Sequence, residues 1–476
     1  MNNNYKELGF MCGLEIHQQI EGKKLFCNCP TTIRKDKPDY TFFRKLRAAA
    51  GETGKIDKAA KYEMEKSKIF EYQGYYNTIC LVEQDEEPPS PVNEDAVNIA
   101  LQVAKLLNMT IVDSIQFMRK TVIDGSNVSG FQRTALIGYD GFIEVNGRKI
   151  DVESICLEEE AAQVIKRTEE KDIYNLSRLG IPLLEIATAP DITTPEECKS
   201  VAAHIGMLLR STGKMKRGIG SIRQDVNVSI RGGARTEIKG FQDIKSIPRV
   251  INNEIDRQLK LIKKGEKIES GVRKAEPDGT TKYLRPMPGA DRMYPETDIP
   301  TIIPNTKNIK TIETLEDKQK RYEKEYDLSS DLASMAVKYE SKTNKNFEID
   351  FKEFSKVPPK TIVDTVLIKI PTLEKKEKAD FGAKKWLFVE ELFSAIEKGI
   401  VSASSIPDVL SDFVKTHKFS PEKYKQMDDK ELKKIIKKII SENKDAPRGL
   451  IMGKVMGQTK GKADGKKVNE IVSKLL

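Results

Sequence analysis

The first residues able to do chemistry lie in Gly13-Leu14-Glu15-Ile16-His17-Gln18. Side chains alternate along a strand, so Glu15 and His17 would share a face and bring a carboxylate beside an imidazole. Alone, the pair is a weak signal, since a surface glutamate next to a structural histidine is the commoner finding. Two other segments show the same habit. In Ser221-Ile222-Arg223-Gln224-Asp225-Val226-Asn227-Val228-Ser229-Ile230, one face carries Arg223, Asp225 and Asn227, and the other carries Ile222, Val226 and Val228. In Arg235-Thr236-Glu237-Ile238-Lys239, Arg235, Glu237 and Lys239 align. A sheet with such a polar face is either washed by solvent, as antiparallel sheets commonly are, or forms a concave charged site.

Further carboxylates need placing. Glu185 interrupts the apolar run Pro182-Leu183-Leu184-Glu185-Ile186-Ala187, where a lone glutamate is costly unless it is paired or bound to a cation. Glu158-Glu159-Glu160, between Cys156-Leu157 and Ala161-Ala162, is expected to open a helix, where anions meet the positive end of the dipole. Carboxylates with one histidine make a hard ligand set suited to Mg²⁺ or Mn²⁺. Cys27 and Cys29, with Cys80, offer three thiolates to zinc. A structural zinc site normally takes four ligands, and a CxxC beginning at Cys80 would end on Glu83, so the expectation is against zinc. The sequence has no Walker A pattern, no G-x-S-x-G elbow, and no cysteine with a plausible histidine and acid set, the other histidines being His204 and His417. It does not read as an amidase or a P-loop ATPase.

Elements must hold these residues, and 476 residues at about 150 per domain allow roughly three domains. A 38% hydrophobic and 32% charged composition suits a soluble protein, with neither an apolar run long enough to span a membrane nor a secretory leader. A cytoplasmic location is expected, and six scattered cysteines do not form a disulfide framework. The net charge is +9, and residues 425–476 carry fourteen Lys/Arg against seven Asp/Glu. A basic tail favours a polyanionic partner.

The pattern predicts an α+β chain. Residues 1–305 read as an antiparallel sheet with a few helices, among them Glu94 to Leu107 and Pro195 to Arg210, the latter opened by Pro195 and two glutamates. Residues 306–410 read as helical, with segments Thr314 to Tyr326, Ser330 to Tyr339, Phe351 to Phe354 and Ala383 to Glu397. Residues 411–476 form a tail in which Leu432, Ile435, Ile436, Ile439 and Ile440 make an apolar stripe, with Lys433, Lys434, Lys437 and Lys438 mostly off it. A last helix would pack through Val468, Ile471, Val472 and Leu475.

Together these motifs resemble the GatB/GatE family of tRNA-dependent amidotransferases over essentially the whole length. The resemblance rests on Gly13 to His17, Cys156 to Glu160, Pro182 to Ile186, Arg223 to Ser229, Met452-Gly453-Lys454-Val455-Met456 and Lys460-Gly461-Lys462-Ala463. His17-Gln18-Gln19, Lys24 to Pro30, Tyr72 to Tyr76, Cys80 to Glu83 and Ser126 to Thr134 resemble the archaeal GatE branch. That branch normally carries an inserted domain, similar to one in bacterial aspartyl-tRNA synthetases, before the segment matching Val272 to Ala275. Here only eleven residues separate Lys260 from Val272. The resemblance implies a cradle domain, a helical domain and a YqeY-like tail. It also implies ATP-dependent phosphorylation of the glutamyl carboxylate of Glu-tRNA(Gln), then amidation with ammonia from a partner amidase in a hetero-oligomer. The partner would be asparaginase-like GatD, or GatA if the chain is of GatB type and also serves Asp-tRNA(Asn). A non-catalytic tRNA-binding protein of the same fold is the remaining alternative. Matched residue by residue, Glu15, His17, Glu158, Glu185 and Asp225 are expected around Mg²⁺, with Glu158 and Glu159 open alternatives. Arg223, Glu237 and Lys239 join them at the catalytic site, and Lys433, Lys437, Lys454, Lys460 and Lys462 are expected to meet tRNA.

Overall fold

In a computed structural model, the described residues are all but 1–3, 51–53, 242, 288, 290–291, 344, 426, 444–445, 460–462, 464 and 476. They form two units, Met1–Thr314 and Leu315–Leu476. Strand-forming residues in polar/apolar alternation build the first unit around an eleven-stranded sheet. Its order is Thr281–Pro286, Gly271–Ala275, Thr236–Phe241, Ile222–Ser229, Met11–Gln19, Pro182–Thr188, Arg148–Glu159, Phe131–Val145, Phe117–Thr121 and Met293–Pro295, with Thr110–Ile111 pairing Phe131–Val145 off this path. Pairing is antiparallel except between Thr236–Phe241 and Gly271–Ala275, whose 17-residue helical crossover, Ile247–Lys263, permits a parallel neighbour.

One face of this sheet is apolar. Leu14, Ile16, Leu184, Ile186, Val226, Val228 and Ile238 turn into one core with helices Glu94–Leu106, Pro195–Ser211 and Ile247–Lys263. Asn93 and Thr194 cap the first two helices, each accepting a backbone N–H of the first turn. The opposite face presents the charged residues. A second, four-stranded sheet, Tyr40–Arg44, Ile69–Gly74, Lys171–Asn175 and Gln163–Arg167, has its own aromatic core with Phe70, Tyr72 and Tyr174.

The glutamate triplet does not open a helix. Glu158 and Glu159 end the strand Arg148–Glu159, and Glu160 continues extended. The hairpin sets this: Asn146 and Gly147, at φ 52° and 76°, turn Phe131–Val145 back onto Arg148–Glu159, and after a register shift between Leu136 and Gly138 the pairing runs on to Thr134 opposite Glu158.

The second unit is helical. Leu315–Tyr326, Ser330–Glu340, Phe347–Glu353, Lys385–Glu397 and Ile406–Thr416 share a core that includes Tyr322, Phe393, Phe413 and Tyr424. The third helix starts four residues before the expected Phe351, because Asn346 accepts from the Glu348 N–H and fixes the end there. The expected boundary at 410/411 falls inside helix Ile406–Thr416. Helices Asp429–Glu442, Arg448–Thr459 and Gly465–Leu475 have a separate core of Leu432, Ile436, Ile439, Ile451, Val455, Val468, Ile471 and Val472. Leu475, expected on the packing face, is exposed.

Candidate functional site

Register brings the polar residues together. His17 lies opposite Glu185 on one side and Arg223 on the other, and Glu15 lies opposite Asp225. Glu158 reaches the same face from the next strand, and Glu237 and Lys239 arrive from Thr236–Phe241. These side chains floor a cavity of about 550 Å³. Its walls include Arg167, Arg178, Arg235, Arg285 and Arg292. The polar face is therefore a concave charged site.

The five expected metal ligands do not form one shell. His17, Glu158 and Glu185 make one triad and Glu15, Asp225 and Glu237 another, with each triad's donor atoms within 4.8 Å of one another. His17 joins them: its Nε2 lies 3.2 Å from Glu185 Oε2 and its Nδ1 4.0 Å from Asp225 Oδ2. Strand alternation puts the two open glutamates on opposite sides of the sheet. Glu158 meets Lys120 Nζ at 2.5 Å in the cavity, whereas Glu159 points to the opposite side and pairs with Arg133 at 2.9 Å. Glu160 returns to the site face and accepts from both terminal nitrogens of Arg223, at 2.7 and 3.1 Å, and from Gln19 at 2.9 Å.

Burial and like charge act on the carboxylates together. Desolvation, then Glu237, raises Glu15, and desolvation, then Glu185, raises Glu158. Burial would raise Glu185 too, but Lys120 and His17 outweigh it and hold that carboxyl well below its ordinary value. Burial alone would lower His17; its hydrogen bond to Glu185 and the charges of Glu185 and Asp225 win, and its value rises. Although burial opposes it, Arg223 holds Glu160 down at about 2.

This donor set fits hard divalent cations. Five carboxylates, those of Glu15, Glu158, Glu185, Asp225 and Glu237, share two ammonium groups, Lys120 and Lys239. Among the described residues, the buried His17 Nδ1 has no hydrogen-bond partner. An orphaned buried nitrogen beside surplus carboxylates is costly unless a cation or polar ligand completes it. Arg223 and Lys239, expected at the catalytic site, already have internal partners, Arg223 with Glu160 and Lys239 with Asp225 and Glu237. Of the wall arginines, Arg178 is held by the Ala161 and Ala162 carbonyls and Arg235 by Asn227 Oδ1, and Arg167, Arg285 and Arg292 offer the cavity its further cations for an anion.

Sequence reasoning missed Lys120 and Glu160. Lys120 sits in the strand Phe117–Thr121 between Arg119 and Thr121, and nothing in that polar stretch marked it as needing a partner. Glu160 required only that the triplet be read as extended chain, since Glu158 and Glu160 then share a face.

The cysteines also converge. Cys27, Cys29, Cys80 and Glu83 have donor atoms within 4.8 Å of one another. The Cys27 thiol donates to Glu83 Oε1 at 2.8 Å, and the fully buried Lys24 Nζ lies 3.6 Å from that oxygen. Its hydrogen bond with Cys27 lowers Cys29 to about 7, while burial and then Glu83 push Cys80 up to about 11.

A family model described as the GatB/GatE catalytic domain matches residues 10–310, and one described as a GatB domain matches residues 347–476. The chain belongs to the GatB/GatE family. Among curated relatives, the E subunit of glutamyl-tRNA(Gln) amidotransferase from Methanocaldococcus jannaschii is 37% identical, over 87% of this chain and 88% of the relative. Its counterpart from Archaeoglobus fulgidus is 38% identical over 79% and 81%. That of Pyrococcus horikoshii is 48% identical over 64% of this chain and 46% of its own length. The first alignment spans 555 positions although this GatB/GatE chain has 476 residues, so the relative carries residues that this chain lacks. In this GatB/GatE member, the matched catalytic domain contains both triads and the thiol cluster. Among the described residues, no helix is long and apolar enough to cross a membrane.

Proposed function

We propose that the chain is the transamidating, tRNA-binding subunit of a glutamyl-tRNA(Gln) amidotransferase, acting in the cytoplasm on Glu-tRNA(Gln). The observation that carries this reading is the pair of acidic triads on the floor of an arginine-walled cavity. A side-chain carboxylate cannot be amidated directly, because hydroxide is a poor leaving group. Its oxygen attacks the γ-phosphorus of ATP and ADP departs. Ammonia then attacks the acyl carbon, and the carbon–oxygen bond to phosphate breaks.

His17, Glu158 and Glu185 would hold one Mg²⁺ and Glu15, Asp225 and Glu237 a second. Bound there, Mg²⁺ would neutralise phosphate charge and polarise the reacting oxygens. The protein's part is positional. Glu160 fixes Arg223 at the cavity wall, and Arg178, anchored on the Ala161 and Ala162 carbonyls at 2.8 Å each, adds a cation with a set direction. Arg285 and Arg292 complete a wall suited to phosphate oxygens.

Ammonia would come from a separate amidase, of the asparaginase-like GatD kind by likeness to the archaeal relatives, with GatA as the alternative. The amidase that copurifies with the chain distinguishes the two. In the tail, Lys433, Lys437 and Lys454 are exposed on a packed helical unit and are proposed to meet tRNA phosphates; Lys460 and Lys462 lie outside the described residues. Convergence of three thiols and Glu83 favours a structural zinc ion beside the hard-cation site, testable as one zinc per chain that Cys80→Ser loses.

The deciding assay supplies charged Glu-tRNA(Gln) or Asp-tRNA(Asn) with ATP, Mg²⁺ and free ammonium, and needs no partner. Gln-tRNA is the expected product, and no product from either substrate would overturn the reading.

A further inference from the structure

Both triads already contain a cation of the protein's own. Lys120 Nζ lies 2.5 Å from Glu158 Oε1 and 3.5 Å from Glu185 Oε2, the two carboxylates that accompany His17. Lys239 Nζ lies 2.6 Å from Asp225 Oδ2 and also pairs with Glu237, two of the three members of the other triad. The lysines come from strands on opposite sides of Met11–Gln19, so the arrangement is built twice from unrelated positions.

We propose that Lys120 and Lys239 are internal counter-cations that occupy the two carboxylate clusters in the ion-free protein, and that divalent ions load by displacing their ammonium groups. The inference rests on the metal reading given above. An ion about 2.1 Å from its oxygens and an ammonium within hydrogen-bond distance of those oxygens compete for the same space and repel each other. Residue choice supports displacement. The fixed pairs nearby use arginine: Arg133 with Glu159, Arg119 with Glu296 and Arg223 with Glu160. Both triads use lysine, whose single charged atom rides on a flexible four-carbon stem and can withdraw, whereas a planar guanidinium is held by its fork. The lysines keep mutually repelling carboxylates gathered until an ion arrives, and the clusters need not be assembled at the moment of loading.

The test is Mn²⁺ binding, followed by electron paramagnetic resonance on the purified full chain without ATP or tRNA, together with melting temperature in EDTA and in Mn²⁺. Wild type is expected to bind two ions. Lys120→Met and Lys239→Met should each tighten one of them, by about tenfold or more, because a competing cation is gone. Each variant should melt below wild type in EDTA and recover most of the difference in Mn²⁺. The two variants report independently, so either one suffices if the other does not fold. Two bound ions in wild type with unchanged or weaker affinity in the variants would overturn the counter-cation role and leave the metal reading standing. No Mn²⁺ binding by wild type or variants would overturn both.

Discussion

Glu158 and Glu159 are adjacent in sequence and end in two different electrostatic worlds. Glu159 joins Arg133, Arg119 and Glu296 in a core of two acids and two arginines, its contacts at 2.7 to 2.9 Å, packed against Phe26 and Phe131, with the exposed Asp298 joining Arg119 at 3.1 Å. Charge in that core is balanced. Glu158 joins a cluster where, among the described residues, carboxylates outnumber ammonium groups and a histidine nitrogen has no hydrogen-bond partner. Balanced buried charge pins a strand and the Glu296 segment into one place, while unbalanced buried charge waits for something to complete it. Burial does not separate the two, since both glutamates are buried.

The sharpest way to break this comparison is to neutralise each neighbour in turn. Glu158→Gln should reduce Gln-tRNA formation by at least about 100-fold, as loss of metal-site groups does, with the fold intact by circular dichroism. Glu159→Gln should do the reverse. It leaves Arg133 with one acid instead of two and should cost about 3 kcal/mol in urea unfolding, while activity per folded molecule stays near wild type. Equal loss of activity in the two variants would erase the distinction.

A finer test uses pH. Hydrogen bonding from Arg119 and Arg133 outweighs burial and holds Glu296 at about 2. A carboxyl depressed in the folded state stabilises fully above its unfolded value of about 4.3, and that contribution disappears as pH falls through the folded value. The stability gap between wild type and Glu296→Gln should therefore be constant above about pH 5 and close towards pH 2. A gap independent of pH would mean that the network's charge is not what stabilises it.

The smallest effects belong to the tail. Lys433→Ala and Lys437→Ala should each flatten the slope of log binding constant against log salt by about 0.9 for tRNA, with little effect on stability. A truncation testing the same surface must cut after Tyr424, because Phe413 and Tyr424 belong to the preceding helical core. Unaltered salt dependence in both would remove this face from the tRNA path.

Much of this was legible in the sequence because it depends on alternation. Period two placed Glu15 with His17, Arg223 with Asp225, and Glu237 with Lys239, and the structure sets all six side chains on one face of the sheet. The tail stripe was legible for the same kind of reason, at period 3.6. What alternation could not supply was the division into two triads, which depends on which strands become neighbours and in what register. The glutamate triplet failed as a helix start because a local preference of acids for helix ends lost to strand pairing across the hairpin, which continues past a register shift between Leu136 and Gly138 to set Thr134 opposite Glu158. Lys120 was hidden by distance, its partners lying 38 and 65 residues further along the chain.

If the two triads are the reaction site, Glu15→Gln and His17→Ala strike it most directly, because each residue sits in a different triad. With Glu-tRNA(Gln), ATP, Mg²⁺ and ammonium, wild type should form Gln-tRNA(Gln) and both variants should form none above background. Transamidation at the wild-type rate by either variant would contradict the account.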